Sequence, residues 1–175
     1  MKLTWFGGTT LRLHIGGQIL VMDAGGAPSN IDPAELVSGA DAVFELTGPR
    51  IPAIDASSWK PRRVRPLDAE TLPPVELLRA ADNTVLVDAT GEPPLLVASG
   101  ALPPLGRWAG EAVVVLFGPA SAIIEAGKDL LADSSPRLIA LAAQDVDIDV
   151  VIDAMRDLLD RTSLVSLEAG LALEI

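Results

Sequence analysis

A layered α/β (α+β) fold in a single domain spanning residues 1–175 is predicted from three features of this sequence. The first half breaks into short aliphatic strands punctuated by glycine pairs. The last third alternates strand with helix, which sets helices against a sheet. A hydrophobic content of 49% supplies one continuous core, and a chain of this size buries roughly 70% of its unfolded surface.

The elements follow in chain order. Strands are expected at 3–6, 11–15 and 19–22. Gly16-Gly17 between the last two is placed for a tight hairpin, because glycine accepts positive φ without steric cost. Leu11, Leu13 and Ile15 share one face of the second strand, and Arg12 and His14 the other. The third strand is apolar on both faces, so it belongs inside the sheet with another layer over it. Asp23 to Pro28 reads as a loop, and Asp32-Pro33 starts a short helix with Asp32 as N-cap. Further strands are expected at 41–46, around 63–67, and at 75–78, 84–88 and 94–98, with turns at Asp82-Asn83 and Gly91-Glu92-Pro93. Beyond them the pattern gives strand 112–117, helix 120–131, strand 137–142 and helix 149–159, with final strands at 163–167 and 171–174. Val150, Val151, Ala154, Met155, Leu158 and Leu159 fall at helical spacing in the second helix.

Composition excludes several functions. A net charge of -11 opposes binding to nucleic acid and to anionic membrane surfaces. Three Trp, three Phe and no Tyr leave little for base stacking. The basic run Lys60-Pro61-Arg62-Arg63-Val64-Arg65 reads as a solvated strand edge, where cationic side chains discourage edge-to-edge pairing. Without cysteine there are no disulfides, thiolate metal sites or Cys nucleophiles. No apolar run reaches membrane-spanning length, and the N-terminus lacks the apolar stretch of a signal peptide, so a soluble cytoplasmic protein is expected.

Catalytic motifs are equally sparse. His14 has no nucleophile elbow to serve and reads as a surface or half-buried side chain. Asp145, Asp147 and Asp149 imitate the start of a calcium-binding loop, but Val150 and Arg156 stand where that loop needs Gly and Glu. Capping of the second helix by Asp147 or Asp149 is the better reading. The glycine pairs fit neither a phosphate loop nor a dinucleotide fingerprint.

The opening Met1-Lys2-Leu3-Thr4-Trp5-Phe6-Gly7-Gly8, followed by Leu11-Arg12-Leu13-His14-Ile15-Gly16-Gly17-Gln18-Ile19-Leu20-Val21-Met22-Asp23, resembles the start of the metallo-β-lactamase superfamily. It is similar to the branch of predicted Zn-dependent hydrolases that includes the L-ascorbate-6-phosphate lactonases. Gly39-Ala40-Asp41-Ala42-Val43, Leu95-Leu96-Val97-Ala98-Ser99-Gly100 and Leu164-Val165-Ser166-Leu167-Glu168-Ala169-Gly170 resemble later family segments in order. The resemblance implies a shortened αββα sandwich, two sheets with helices on the outer faces. It also implies a His-x-His-x-Asp-His loop and a bridging Asp binding two metals, whose bound water is the nucleophile. At those positions this chain has Gly48, Arg50, Pro52, Ala53 and Gly100, with Gly8 replacing an early His. None of these side chains coordinates a metal, so no metal, cofactor or metal-dependent hydrolysis is expected.

The polar residues expected nearest the remnant pocket are Thr9, Thr10, Asp23, Arg50 and Asp55. A buried Arg50 would substitute a fixed cation for the metal and hold a small anionic ligand through a carboxylate or phosphate. The leading expectation is a catalytically inactive binding or assembly module that forms a homo-oligomer. The alternative is a metal-free binder or hydrolase-like enzyme using the pocket around Arg50. A third possibility is an unrelated α/β domain. The family reading requires the sheets to pack face to face, with Asp23 and Gly48 near one edge.

Overall fold

The computed structural model describes residues 1–62 and 73–175. The first sheet contains β1 (Lys2–Gly7), β2 (Thr10–Ile15), β3 (Gln18–Met22), β4 (Ala42–Phe44) and β11 (Ala172–Glu174), in the order β11-β1-β2-β3-β4. Gly16 and Gly17 both take positive φ (57° and 77°), and Ile15 pairs with Gln18 across them. This mirror-image turn matches the twist of its flanking strands. Between β3 and β4, which run parallel, lies α1 (Pro33–Leu36). The Asp32 carboxylate accepts the Ala34 N–H at 2.9 Å, as its N-cap position predicts.

The second sheet contains β5 (Glu76–Ala81), β6 (Thr84–Asp88), β7 (Leu95–Ser99), β8 (Val113–Phe117), β9 (Leu138–Ala142) and β10 (Ser163–Ser166), in the order β10-β9-β8-β7-β6-β5. The four strands β7 to β10 are parallel, while β5, β6 and β7 pair antiparallel. The crossovers are a single helical turn at Arg107–Glu111, then α2 (Ala120–Asp133) and α3 (Asp145–Met155).

The sheets pack face to face. Leu11, Leu13 and Met22 from the first meet Val87, Val97, Val115 and Phe117 from the second in one buried cluster. The opposite face of the second sheet, with Leu86, Val114, Leu116 and Leu141, packs under Trp108, Ile123, Leu130, Val151 and Met155. A strand such as β8, buried on both faces, therefore has to be apolar at every position. Each fully buried Val or Leu contributes about 1.5–3 kcal/mol. On the outer face of the first sheet Val21 is buried, and Arg12 donates to the carbonyls of Leu36 (2.8 Å) and Ser38 (3.0 Å) at the end of α1. Asp23 and Gly48 follow the carboxyl ends of β3 and of β4, the edge strand of that sheet. Among the described residues no helix is long and apolar enough to cross a membrane.

Four expectations need correction or fall elsewhere. Helix α3 starts at Asp145 rather than Asp149, with Gln144 at its N-cap and no side-chain cap, so neither Asp147 nor Asp149 caps it. Asp145 and Asp147 instead lie in the first turn, where their charge complements the positive helix end. Of the apolar positions assigned to that helix, Val151 and Met155 are buried but Val150 and Leu158 are exposed. The strand around 63–67 lies outside the described residues, as do Arg63, Val64 and Arg65 of the basic run. Arg62, however, is no solvated edge: its guanidinium meets the buried Asp88 carboxylate at 2.8 Å.

Candidate functional site

The parallel strands β7, β8 and β9 end together, and the turn between β1 and β2 closes over them. Their carboxyl ends open into a cavity of about 430 Å³ lined by Trp5, Thr9, Ser99, Phe117, Gln144 and Asp147. This is where open α/β sheets place their ligands, because the crevice lies outside the strand ends. A second cleft of about 810 Å³ shares Trp5, Ala143 and Gln144 and continues past Asp145, Asp149 and Glu168. The first cavity presents hydroxyls, an amide and one carboxylate. The single histidine, His14, stands on the outer face of β2, away from this cavity.

The five residues expected at one pocket are dispersed. Thr9 lines the cavity. Thr10 is fully buried and donates its hydroxyl to the Asp23 carbonyl at 2.9 Å. Asp23 takes a left-handed conformation (φ 50°), donates its N–H to the Phe44 carbonyl and accepts the Leu46 N–H on its carboxylate, both at 2.9 Å. It therefore staples the ends of β3 and β4 together. Arg50 is exposed, in a separate groove with Val43, Glu45 and Ile51, rather than buried beside Thr9.

Asp55 lies away from the cavity. It is exposed and organises its own turn, accepting from the Ser57 hydroxyl (2.6 Å), the Ser58 hydroxyl (2.8 Å) and the Ser57 N–H (3.0 Å). These bonds, the Ser57 hydroxyl foremost, hold its carboxyl below the usual range. The neighbouring Ala56 carbonyl accepts the Trp108 indole N–H at 2.7 Å, which puts this turn on the helix-covered side of the second sheet. Only Thr10 and Asp23 come together, and what they do is hold strands.

The residue that organises the loop after β4 is Arg79 of β5. Its guanidinium donates to the carbonyls of Leu46 (2.5 Å), Gly48 (2.7 Å) and Glu45 (3.4 Å), and to those of Asp82 (3.0 Å) and Ala81 (3.4 Å). A cation thus sits beneath the loop, but it arrives from the neighbouring sheet. The signal in the sequence was an arginine at an inward position, two residues after Leu77, within the apolar stretch 77–81.

The donor set does not fit the metal that the family resemblance implies. A guanidinium occupies the loop carbonyls, and a side chain at Gly48 would meet the Glu45 Cβ at 2.9 Å. No three His, Asp or Glu side chains are grouped to hold a metal among the described residues.

His14 provides a local check on the charge layout. Burial first, and then Arg12 and Lys2, lower its pKa from the ordinary 6.5. The fold therefore favours the neutral ring, and this contribution to stability is lost as pH falls below 6.5. The single imidazole resonance should titrate below 6.5 in the folded chain, and Arg12→Gln should raise its midpoint. A wild-type midpoint at or above the free-residue value contradicts this layout.

No model of a known protein family, no curated protein and no solved structure matches this chain.

Proposed function

We propose that this chain is a non-hydrolytic binding or assembly module built on a metallo-β-lactamase-like scaffold. The observation that carries the reading is Arg79. In an active enzyme of that kind the loop after the fourth strand is organised by metal, whereas here a guanidinium supports its carbonyls. At the positions that the resemblance assigns to the ligands stand side chains that do not coordinate a metal, so the metal-activated water of such an enzyme has no counterpart there. The aliphatic residues exposed on α3 support an assembly role.

A cytoplasmic setting belongs to the same reading. With 24 acidic against 13 basic residues, the chain is repelled by nucleic acid and by anionic lipid. Anion binding at Arg50 has weaker support, because that side chain is exposed and shares its groove with the Glu45 carboxylate.

The test is bound metal per chain by elemental mass spectrometry, after dialysis against zinc and manganese, together with hydrolysis of lactone and phosphodiester probes. A ratio near zero without turnover is expected. A reproducible ratio near one, accompanied by turnover, overturns the reading.

A further inference from the structure

From the outer surface of α3 and the cleft beside it, we infer a docking site for a cationic amphipathic segment of another protein. The inference deepens the binding-module reading and rests on it. A helix that covers a sheet ordinarily turns its apolar residues inward. Helix α3 does so with Val151 and Met155, yet Val146 is 80% exposed and Val150 55% exposed. The two lie one turn apart on a single face, and Leu158 continues the apolar surface just beyond the helix. Three of the five large exposed apolar side chains among the described residues are therefore concentrated on this short stretch.

The charge beside this row identifies the occupant. Asp145, Asp149 and Asp153 repeat at the same four-residue spacing, forming an acidic row next to Val146 and Val150. Asp145 and Asp149 also border the cleft of about 810 Å³, which has Trp5, Ile148 and Leu167 in its lining and Glu168 on its rim. Arg156 pairs with Asp153 and Asp157, but among the described residues no cation pairs with Asp145, Asp149 or Glu168.

An apolar row beside an acidic one is complementary to a segment carrying aliphatic residues at helical spacing flanked by Lys or Arg. A second copy fits poorly, since it would set one acidic row against another in a chain of net charge -11. Nucleic acid and anionic lipid are repelled for the same reason.

The experiment titrates the full chain into a fluorescein-labelled Leu/Lys peptide patterned as an amphipathic helix, with a scrambled peptide of the same composition as control, and reads anisotropy. The patterned peptide should bind at least about tenfold more tightly than the scrambled one. The double variant Val146→Ser, Val150→Ser should remove that preference, and Asp149→Asn with Glu168→Gln should weaken binding and flatten its dependence on salt. All four positions are substituted with polar residues at the surface, so circular dichroism should remain that of the wild type.

Equal binding of both peptides, or unchanged binding by the valine variant, overturns the proposal. So does a dimer, seen by sedimentation, that the valine variant dissociates, because the occupant is then a second copy. Metal content and turnover are measured on the same preparation. Peptide binding can therefore fail while the non-hydrolytic reading stands, and bound metal with hydrolysis removes that reading whatever the peptide does.

Discussion

Replacing Arg62 with methionine should destabilise the chain by about 3 kcal/mol, the low end of the cost of breaking a buried ion pair. The Asp88 carboxylate is 3% exposed and receives the Arg62 Nε–H at 2.8 Å. The same guanidinium donates to the Asp88 carbonyl at 2.8 Å and to the Pro74 carbonyl at 3.0 Å. Methionine keeps the aliphatic stem but strands the carboxylate without a donor in a site water barely reaches. Because Arg62 is itself 26% exposed, solvent screens part of the interaction, and this sets the expectation at the lower figure. For a domain of this size the melting temperature should fall by roughly 6–12 °C. Asp88→Leu in the Arg62→Met background removes the stranded charge and should recover part of the loss. Chemical denaturation of the wild type, both single variants and the double variant measures the coupling directly. Additive single effects would show that the pair does not hold this edge of the second sheet.

Arg62 also shows where the sequence becomes hard to read. The features that proved legible are local ones. Gly16-Gly17 sets its hairpin because positive φ at two adjacent positions singles out glycine. Asp32-Pro33 sets the start of α1 through a carboxylate and a ring that act within two residues. The uninterrupted apolar run in β8 requires burial on both faces, with Val113, Val115 and Phe117 in the core between the sheets and Val114 and Leu116 under the helices. By contrast, the partner of Arg62 lies 26 residues away, and Arg79 reaches carbonyls 31 to 34 residues away. Nothing in a basic run or an apolar strand announces such a partner.

The start of α3 is hidden in the sequence for a different reason. Asp147 and Asp149 both offer a capping carboxylate, and the backbone uses neither, starting the helix at Asp145 behind Gln144. The candidate pocket dispersed because its members were placed by family position rather than by contact. The backbone at 52–54 runs along the edge of β5, where Ala53 bridges to Arg79 and the Ile54 N–H donates to the Arg79 carbonyl at 2.9 Å. That path carries the chain over the sheet edge and delivers Asp55 to the helix-covered side, far from Thr9.

The second large effect is expected at Arg79 itself. Arg79→Met should cost about 2–3 kcal/mol, because the part-buried carbonyls of Leu46 and Gly48 lose a charged donor in one step. The acceptors are neutral, so the loss should persist in high salt. Arg79→Lys restores the charge as a compact ammonium but not the planar fork that reaches Leu46, Gly48 and Asp82 together, and it should recover less than half of the loss. The loss should be concentrated after β4. Amide exchange at Leu46 and Gly48 should accelerate, whereas the parallel strands β8 and β9 keep their protection. The Leu46 N–H is still tied to Asp23 at 2.9 Å, so a further variant, Asp23→Ala, should compound the effect at the same amides. If Arg79→Met leaves stability and exchange at Leu46 and Gly48 unchanged, the guanidinium does not hold the loop. The proposal that it replaces a metal as the organiser of that loop then fails, even if the chain binds none.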